Sequence, residues 1–146
     1  MLEFKYLGSI ISWNGKIESD IEHRCSKASQ ILGQLTTILK HKHVSIDTKR
    51  TLYNIVFIPT LCYQCQTWTL TAKEKRKITT TEMRCPRRIL NITRRDRIRN
   101  DEIRRRVGVT SALEYITIQQ TKWFEQVTRM SPDNILLKAL TSRRHN

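Results

Sequence analysis

The sequence predicts a mainly α chain: a short N-terminal β-element followed by about five or six helices. Three observations carry that expectation. Apolar residues at Ile17, Ile21, Cys25, Ala28, Leu32, Leu35 and Leu39 recur at alternating spacings of four and three, which is one face of a helix. Two capping-box patterns, Thr71 with Glu74 and Ser111 with Glu114, mark helix starts. Strand-favouring Phe4, Tyr6, Ile10, Ile11 and Trp13 gather ahead of the turn pair Asn14-Gly15.

Residues 2–13 read as extended structure. Lys16-Ile17-Glu18 is short for a partner strand, so this element is expected to pair with something upstream. The chain divides into a strand-and-turn part, 1–16, and a helical part, 17–146. Ser19 is the expected cap of the first helix, with Asp20 and Glu22 placed favourably against its dipole. Gly33, inside it, costs about 1 kcal/mol relative to Ala. Ser45 opens a second helix with Leu52, Ile55, Val56 and Phe57 on its buried side. Pro59 lacks an N–H and crowds the preceding turn, so the helix must kink or end there. Thr60 to Trp68 reads as a buried short helix or turn. The helix headed by Thr71 should run through Ile78 and Glu82 towards Cys85, Ile89 and Ile92, with a break near Cys85 that lets Pro86 begin a new turn. Asn100 is the expected cap of a short helix ending at Gly108. Ser111 heads another, with Leu113, Ile116, Gln120, Trp123, Val127 and Met130 on one stripe. Ser131-Pro132-Asp133 should start a last helix carrying Ile135, Leu136, Ala139 and Leu140, before a frayed tail at 143–146.

Charge says more about partners than about fold. The chain of 146 residues carries 27 Lys and Arg against 13 Asp and Glu, a net of +14, which favours polyanions. The second half is the more basic, with 18 basic and 8 acidic side chains in residues 74–146. Ten arginines lie between positions 84 and 106: Arg84, Arg87, Arg88, Arg94, Arg95, Arg97, Arg99, Arg104, Arg105 and Arg106. Only Asp96, Asp101 and Glu102 oppose them. With Cys85 and Ile89 facing the core, Lys77, Arg84 and Arg88 share one flank of a helix, while Arg87 and Arg94 point outward. The guanidinium fork suits bidentate phosphate contact and base stacking, so this cluster predicts binding to RNA or DNA rather than a merely solvated face.

Other chemistries find no residues. The most apolar stretch, Leu52 to Tyr63, is interrupted by Asn54, Pro59 and Thr60 and is too short to span a bilayer, so no membrane partner is expected. Met1 leads straight into Leu2-Glu3-Phe4-Lys5 without a basic-then-apolar leader, which predicts an intracellular protein, nuclear where it acts. Cys62 and Cys65 have the spacing of half a zinc site, but Cys25 and Cys85 are isolated and the histidines lack a paired spacing. Buried reduced thiols are the simpler reading. The aspartates are scattered, and no adjacent Asp-Asp pair is present to hold two magnesium ions. Neither a Gly-rich phosphate loop nor a nucleophile motif occurs, so no catalytic residue and no cofactor is assigned to this chain.

Five strings, in order from about residue 4 to about residue 130, resemble the region that follows the catalytic palm in non-LTR (LINE-type) retrotransposon reverse transcriptases. Phe4-Lys5-Tyr6-Leu7-Gly8 with Ile10-Ile11 is similar to the F-x-Y-L-G-x-x-I strand near the primer grip. Ile58-Pro59-Thr60-Leu61-Cys62-Tyr63-Gln64-Cys65-Gln66-Thr67-Trp68-Thr69-Leu70 resembles P-x-L-L-Y-G-C-E-T-W-x-L. Glu82-Met83-Arg84-Cys85-Pro86-Arg87-Arg88-Ile89-Leu90 is similar to E-M-x-C-x-R-R-x-L. Arg105-Arg106-Val107-Gly108 and Lys122-Trp123-Phe124-Glu125-Gln126-Val127-Thr128-Arg129-Met130 resemble later R-x-x-W-x-G-H-V-x-R-M elements. Four departures stand out: Gln64 for Gly, Gln66 for Glu, Pro86 for an aromatic, and Glu125-Gln126 for Gly-His.

The resemblance implies a detached C-terminal piece of an RNA-directed DNA polymerase, residues 1–16 ending the palm and 17–146 forming thumb and following helices. Tyr6, Leu7 and Gly8 would be primer-grip-like, and the Arg84–Arg105 set with Lys77 would hold template and primer. The family's catalytic aspartates, with their magnesium, lie upstream of the F-x-Y-L-G strand in the missing palm, so this chain alone should be inactive. A free-standing basic helical nucleic-acid-binding protein derived from such an element, and an inert fragment, are the alternatives.

Overall fold

The structure, a computed structural model, describes residues 3–7, 9–12 and 17–129, with positions 3, 4, 6, 9, 11 and 12 described by backbone alone. The expected last helix from Ser131, Met130, Trp13 and the Asn14-Gly15 turn lie outside the described residues. Among them the chain is mainly α, as its periodicities predict.

Two short strands open it, β1 (Glu3–Tyr6) and β2 (Ser9–Ser12), antiparallel with Tyr6 opposite Ser9 and Glu3 opposite Ser12. The stretch expected to be one extended element therefore turns back on itself. The reversal passes through Leu7 at φ 48, and a positive φ at the first position of such a tight connection matches the twist of antiparallel strands.

The first helix, α1 (Glu18–Lys40), buries Ile21, Cys25, Ala28, Leu32 and Leu39 on the stripe that the spacing predicts. Its start differs from expectation. Ile17 is the N-cap, without a side-chain cap bond, and Ser19 lies inside the first turn. Asp20 is buried rather than solvated: it accepts hydrogen bonds from the Ile10 amide at 3.1 Å and from Trp68 Nε1 at 3.0 Å. One carboxylate thus ties strand, helix and a core tryptophan together.

Ser45 caps α2 (Ile46–Leu52), accepting from the Thr48 amide at 3.2 Å. A π-helical turn, Tyr53–Phe57, follows and leads directly into α3 (Ile58–Leu61). The wider turn is how the helix accommodates Pro59 without ending. The buried face of this stretch runs through Lys49, Tyr53 and Phe57, so Ile55, expected inside, is 67% exposed. Thr60 Oγ1 donates to the Val56 carbonyl at 2.7 Å, satisfying one acceptor in the disturbed stretch.

The fourth helix, α4 (Ala72–Leu90), begins at the predicted capping box, with Glu74 accepting from both the amide and the hydroxyl of Thr71. It does not break at Cys85. Pro86 sits inside a continuous helix and is buried. The packing of Ile78, Met83, Cys85 and Ile89 outweighs the lost backbone bond. Asn91, at φ 54, ends the helix: its amide bonds the Arg88 carbonyl and the Ile92 amide the Arg87 carbonyl, a Schellman arrangement. After a 3₁₀ turn at Arg94–Asp96 comes α5 (Asn100–Val107), capped by Arg99 rather than by Asn100, and closed by Gly108 at φ 82 as predicted. Ser111 caps α6 (Ala112–Thr128), accepting from the Glu114 amide at 3.1 Å. Ile116 and Val127 of its stripe are buried, and Gln120 Nε2 donates to the carbonyls of Cys65 and Trp68.

The position of the site follows from one packing relationship. Helices α1 and α4 lie side by side and run in the same direction, because their cross-links advance together: Glu18 with Lys73, Glu22 with Lys77, Ser29 with Arg84 and Thr36 with Arg88. Their C-terminal ends are therefore neighbours. The core lies between this pair, the α2–α3 segment and α6, and no helix among the described residues is long and apolar enough to cross a membrane.

Candidate nucleic-acid interface

The paired C-terminal ends of α1 and α4 enclose a cavity of about 350 Å³, lined by Lys40, Arg84, Arg87, Arg88, Asn91, Ile92, Thr93 and Arg94. Five of these are cations and none is a carboxylate. A helix C-terminus attracts positive charge, so part of this clustering is expected from fold alone. Two parallel termini offset only about one elementary charge, half from each. Asp96 lies close by, accepting from the Thr93 amide at 2.6 Å, and offsets one more. An excess of roughly three positive charges remains unneutralised by the described residues.

The guanidinium groups are held in place. Arg88 Nη1 donates to Thr36 Oγ1 at 2.9 Å, and Arg84 Nη1 to Ser29 Oγ at 3.3 Å. Arg87 Nη2 donates to Asn100 Oδ1 at 2.9 Å, while its Nε is buried with no hydrogen-bond partner among the described residues. Burial, and then the Arg94 charge beside it, pull the Arg87 pKa down. That strain is of the kind a bound anion relieves.

The sequence-predicted residues fall into three groups. Lys77, Arg84 and Arg88 do share a flank, but the flank faces α1, where Lys77 pairs with Glu22 at 3.1 Å. Arg87 turns inward to Asn100, not outward as expected. Arg94, Arg95, Arg97 and Arg99 are exposed on the connection between α4 and α5, and their side chains make no hydrogen bond or ion pair among the described residues. Thr93 with Asp96 forms a capping box there, and Arg97 takes a left-handed conformation at φ 53.

Arg104 and Arg105 belong elsewhere. Arg104 is mostly buried and bonded to Glu82 through two nitrogens, a structural ion pair rather than a free contact. Arg105 and Arg106 share Glu102 at 2.6 and 3.0 Å, and their hydrogen bonds hold its carboxyl at a pKa of about 2. Lys40 is a cavity residue that sequence reasoning missed. Nothing local marks it, since its place depends on α1 and α4 running in parallel.

Of the primer-grip-like residues, Leu7 is not near this cavity. The Leu7 carbonyl accepts from Tyr63 Oη at 3.1 Å and Gln64 Nε2 at 3.3 Å, which fastens the hairpin turn to the Cys62–Cys65 segment. Of the other two, Tyr6 is described by backbone alone and Gly8 lies outside the described residues. The hairpin meets α1 at Asp20, so the length of α1, about 30 Å at the α-helical rise, separates it from Lys40.

Two further features are neutral. A cavity of about 460 Å³ between the 66–69 segment and α6 is lined by Trp68, Thr117, Gln120 and Trp123 among others, with no charged side chain. All four cysteines are buried and unpaired, and burial raises the thiol pKa at Cys65 to about 11 and at Cys85 to about 12. No group of three or more His, Cys, Asp or Glu among the described residues is placed to hold a metal ion. No protein-family model, no curated protein and no solved structure matches the chain.

Proposed function

We propose that this chain is a non-catalytic, nucleic-acid-binding segment of a LINE-type reverse transcriptase, the helical part that holds template and primer beside a palm carried upstream. The observation that carries the reading is the uncompensated cationic surface. The cavity at the α1 and α4 ends continues into the exposed arginines of the 94–99 connection, with Asp96 the one carboxylate between them. Two details agree with the resemblance. Gln64 stands where the similar segment carries Gly, and it adopts φ 57, a conformation that favours Gly. Arg87 and Arg88, the R-R of the helix motif, both line the cavity.

RNA or DNA would be gripped through phosphates, which positions a strand without reading its sequence. Any magnesium chemistry would reside in the palm. A free-standing nucleic-acid-binding protein is the second reading, favoured by the cavity being built wholly from this chain.

The test is a fluorescence-anisotropy titration of the purified chain with single-stranded RNA and duplex DNA over a range of salt. If ~5 cations neutralise phosphates, log K falls with log salt at a slope of about −3.5 to −4.5. Absence of binding to either at low salt overturns the reading. Nucleotide incorporation by the isolated chain contradicts the non-catalytic assignment.

A further inference from the structure

We infer that the cavity between the α1 and α4 ends takes the terminal phosphomonoester of a nucleic-acid strand. The inference rests on the nucleic-acid reading above and narrows it to one group in one place. Three observations lead there.

The first is charge density. Lys40, Arg84, Arg87, Arg88 and Arg94 all line a single concavity. A terminal phosphate carries about 1.5 to 2 negative charges at neutral pH, against one for an internal diester, so it relieves more of the mutual repulsion per group bound. The second is size. About 350 Å³ lies at the small end of ligand pockets, enough for a phosphate with part of its nucleoside and too little for a duplex. A strand end can project its phosphate into such a hollow; an internal phosphate is held back by sugars on both sides. The third is pre-orientation. Arg84, Arg87 and Arg88 are each fixed by one nitrogen, to Ser29, Asn100 and Thr36, which leaves the remaining donors placed before any ligand arrives. The buried Arg87 Nε is a donor without an acceptor among the described residues. The carbonyls of Arg87 and Arg88 at the α4 end are already taken by the Ile92 and Asn91 amides, so they present less negative charge to the phosphate.

The experiment compares three single-stranded oligonucleotides of one sequence and length, ending in a 5′-phosphate, a 3′-phosphate, or hydroxyls only. Each is titrated with the full chain at fixed low salt. A phosphate-ended strand should bind about tenfold tighter than the hydroxyl-ended one, and the 5′ and 3′ arms say which end is taken. Lys40→Ala with Arg94→Ala should erase that preference. Arg95→Ala with Arg99→Ala removes the same charge outside the cavity and should weaken all three strands while keeping the preference. Equal affinity for all three strands overturns the inference and leaves the broader nucleic-acid reading standing. Failure of all three to bind overturns both. Inorganic phosphate that displaces the phosphate-ended strand as well as the strand itself does would assign the site to free phosphate and overturn the strand-end inference.

Discussion

Glu82 and Arg104 form a two-pronged ion pair inside the fold, with Arg104 Nε 2.8 Å from Glu82 Oε2 and Nη2 3.1 Å from Oε1. Glu82 is fully buried, and its Oε1 also accepts from the Ala112 amide at 2.8 Å, the first residue of α6. A single carboxylate on α4 therefore fixes α5 through a charge and α6 through an otherwise unpaired helix-start amide. The two helices that flank the arginine connection, α4 and α5, are locked to each other and to α6 by this one group.

Removing the acid should be costly. Glu82→Ala leaves a mostly buried guanidinium without its counter-ion and an α6 amide without an acceptor, a loss of about 3 to 5 kcal/mol. Thermal melts followed by circular dichroism should show Tm falling by roughly 10 °C or more. Replacing both partners by Met removes the stranded charge as well, so the double variant should recover much of the loss. A single variant that melts within a degree or two of the parent would show that the pair contributes little.

Two glycines should respond with opposite signs. At Gly108 a Cβ would meet Arg50 Nε at 3.0 Å, and that nitrogen donates to the Val107 carbonyl at 2.8 Å. With φ at 82 the backbone also disfavours any L side chain, so Gly108→Ala should destabilise by about 1 to 2 kcal/mol before the Arg50 contact is counted. Gly33 lies within α1 with nothing within 4 Å of its Cβ position, so Gly33→Ala should stabilise by about 0.5 to 1 kcal/mol. Urea titrations of the two variants read both effects, and a shared sign would contradict the structure.

What the sequence revealed divides along local and long-range lines. The α1 stripe, the Thr71 and Ser45 caps and the Gly108 stop depend on residues within a few positions of one another, and all are present. Ser19 and Asn100 lie inside their helices, past the caps at Ile17 and Arg99, and Asp20 and Asn100 bond distant partners, Trp68 and Arg87. Propensity predicts a break at Pro86, yet its burial within a continuous helix overrides that preference. Ile55 faces outward because the buried face runs through Lys49, Tyr53 and Phe57, and a residue two positions from Tyr53 lies on the opposite side of the helix. The arginine cluster was legible as composition. Which of its members are free was not, because Arg104 finds its partner 22 positions away and Lys40 joins the cavity only through the parallel packing of α1 on α4.

The buried thiols give a pH-dependent expectation. Burial raises the Cys65 and Cys85 pKa values from the ordinary 9.0 to about 11 and about 12, and raises those of Cys25 and Cys62 too. A thiol whose folded pKa is raised favours the folded state fully below pH 9, and that stability is lost as pH climbs towards 11 to 12, because the unfolded chain releases its protons first. Tm should therefore decline between pH 9 and pH 11, and a variant with Ser at Cys65 and Ala at Cys85 should decline less steeply. At neutral pH the native thiols should react slowly with iodoacetamide, and only after urea unfolding at the rate of free cysteine. Rapid labelling of the folded chain would mean that the packing around them is wrong.

The exposed arginines offer a way to separate binding from folding. The side chains of Arg94, Arg95 and Arg99 stand on the surface without hydrogen-bond partners among the described residues, and Arg97 joins them at φ 53, where glycine is at no disadvantage. Changing Arg94, Arg95 and Arg99 to Ala and Arg97 to Gly should leave Tm unchanged or slightly higher, since like charges are removed and strain at 97 is relieved. The same variant should flatten the salt dependence of nucleic-acid binding, lowering the magnitude of the slope by about 3. Arg104 makes the informative contrast. Arg104→Ala should lower Tm sharply and leave the slope of whatever remains folded nearly unaltered, because its charge is already spent on Glu82. A quadruple variant that keeps the parental slope would place the phosphate contacts somewhere other than the α4–α5 connection.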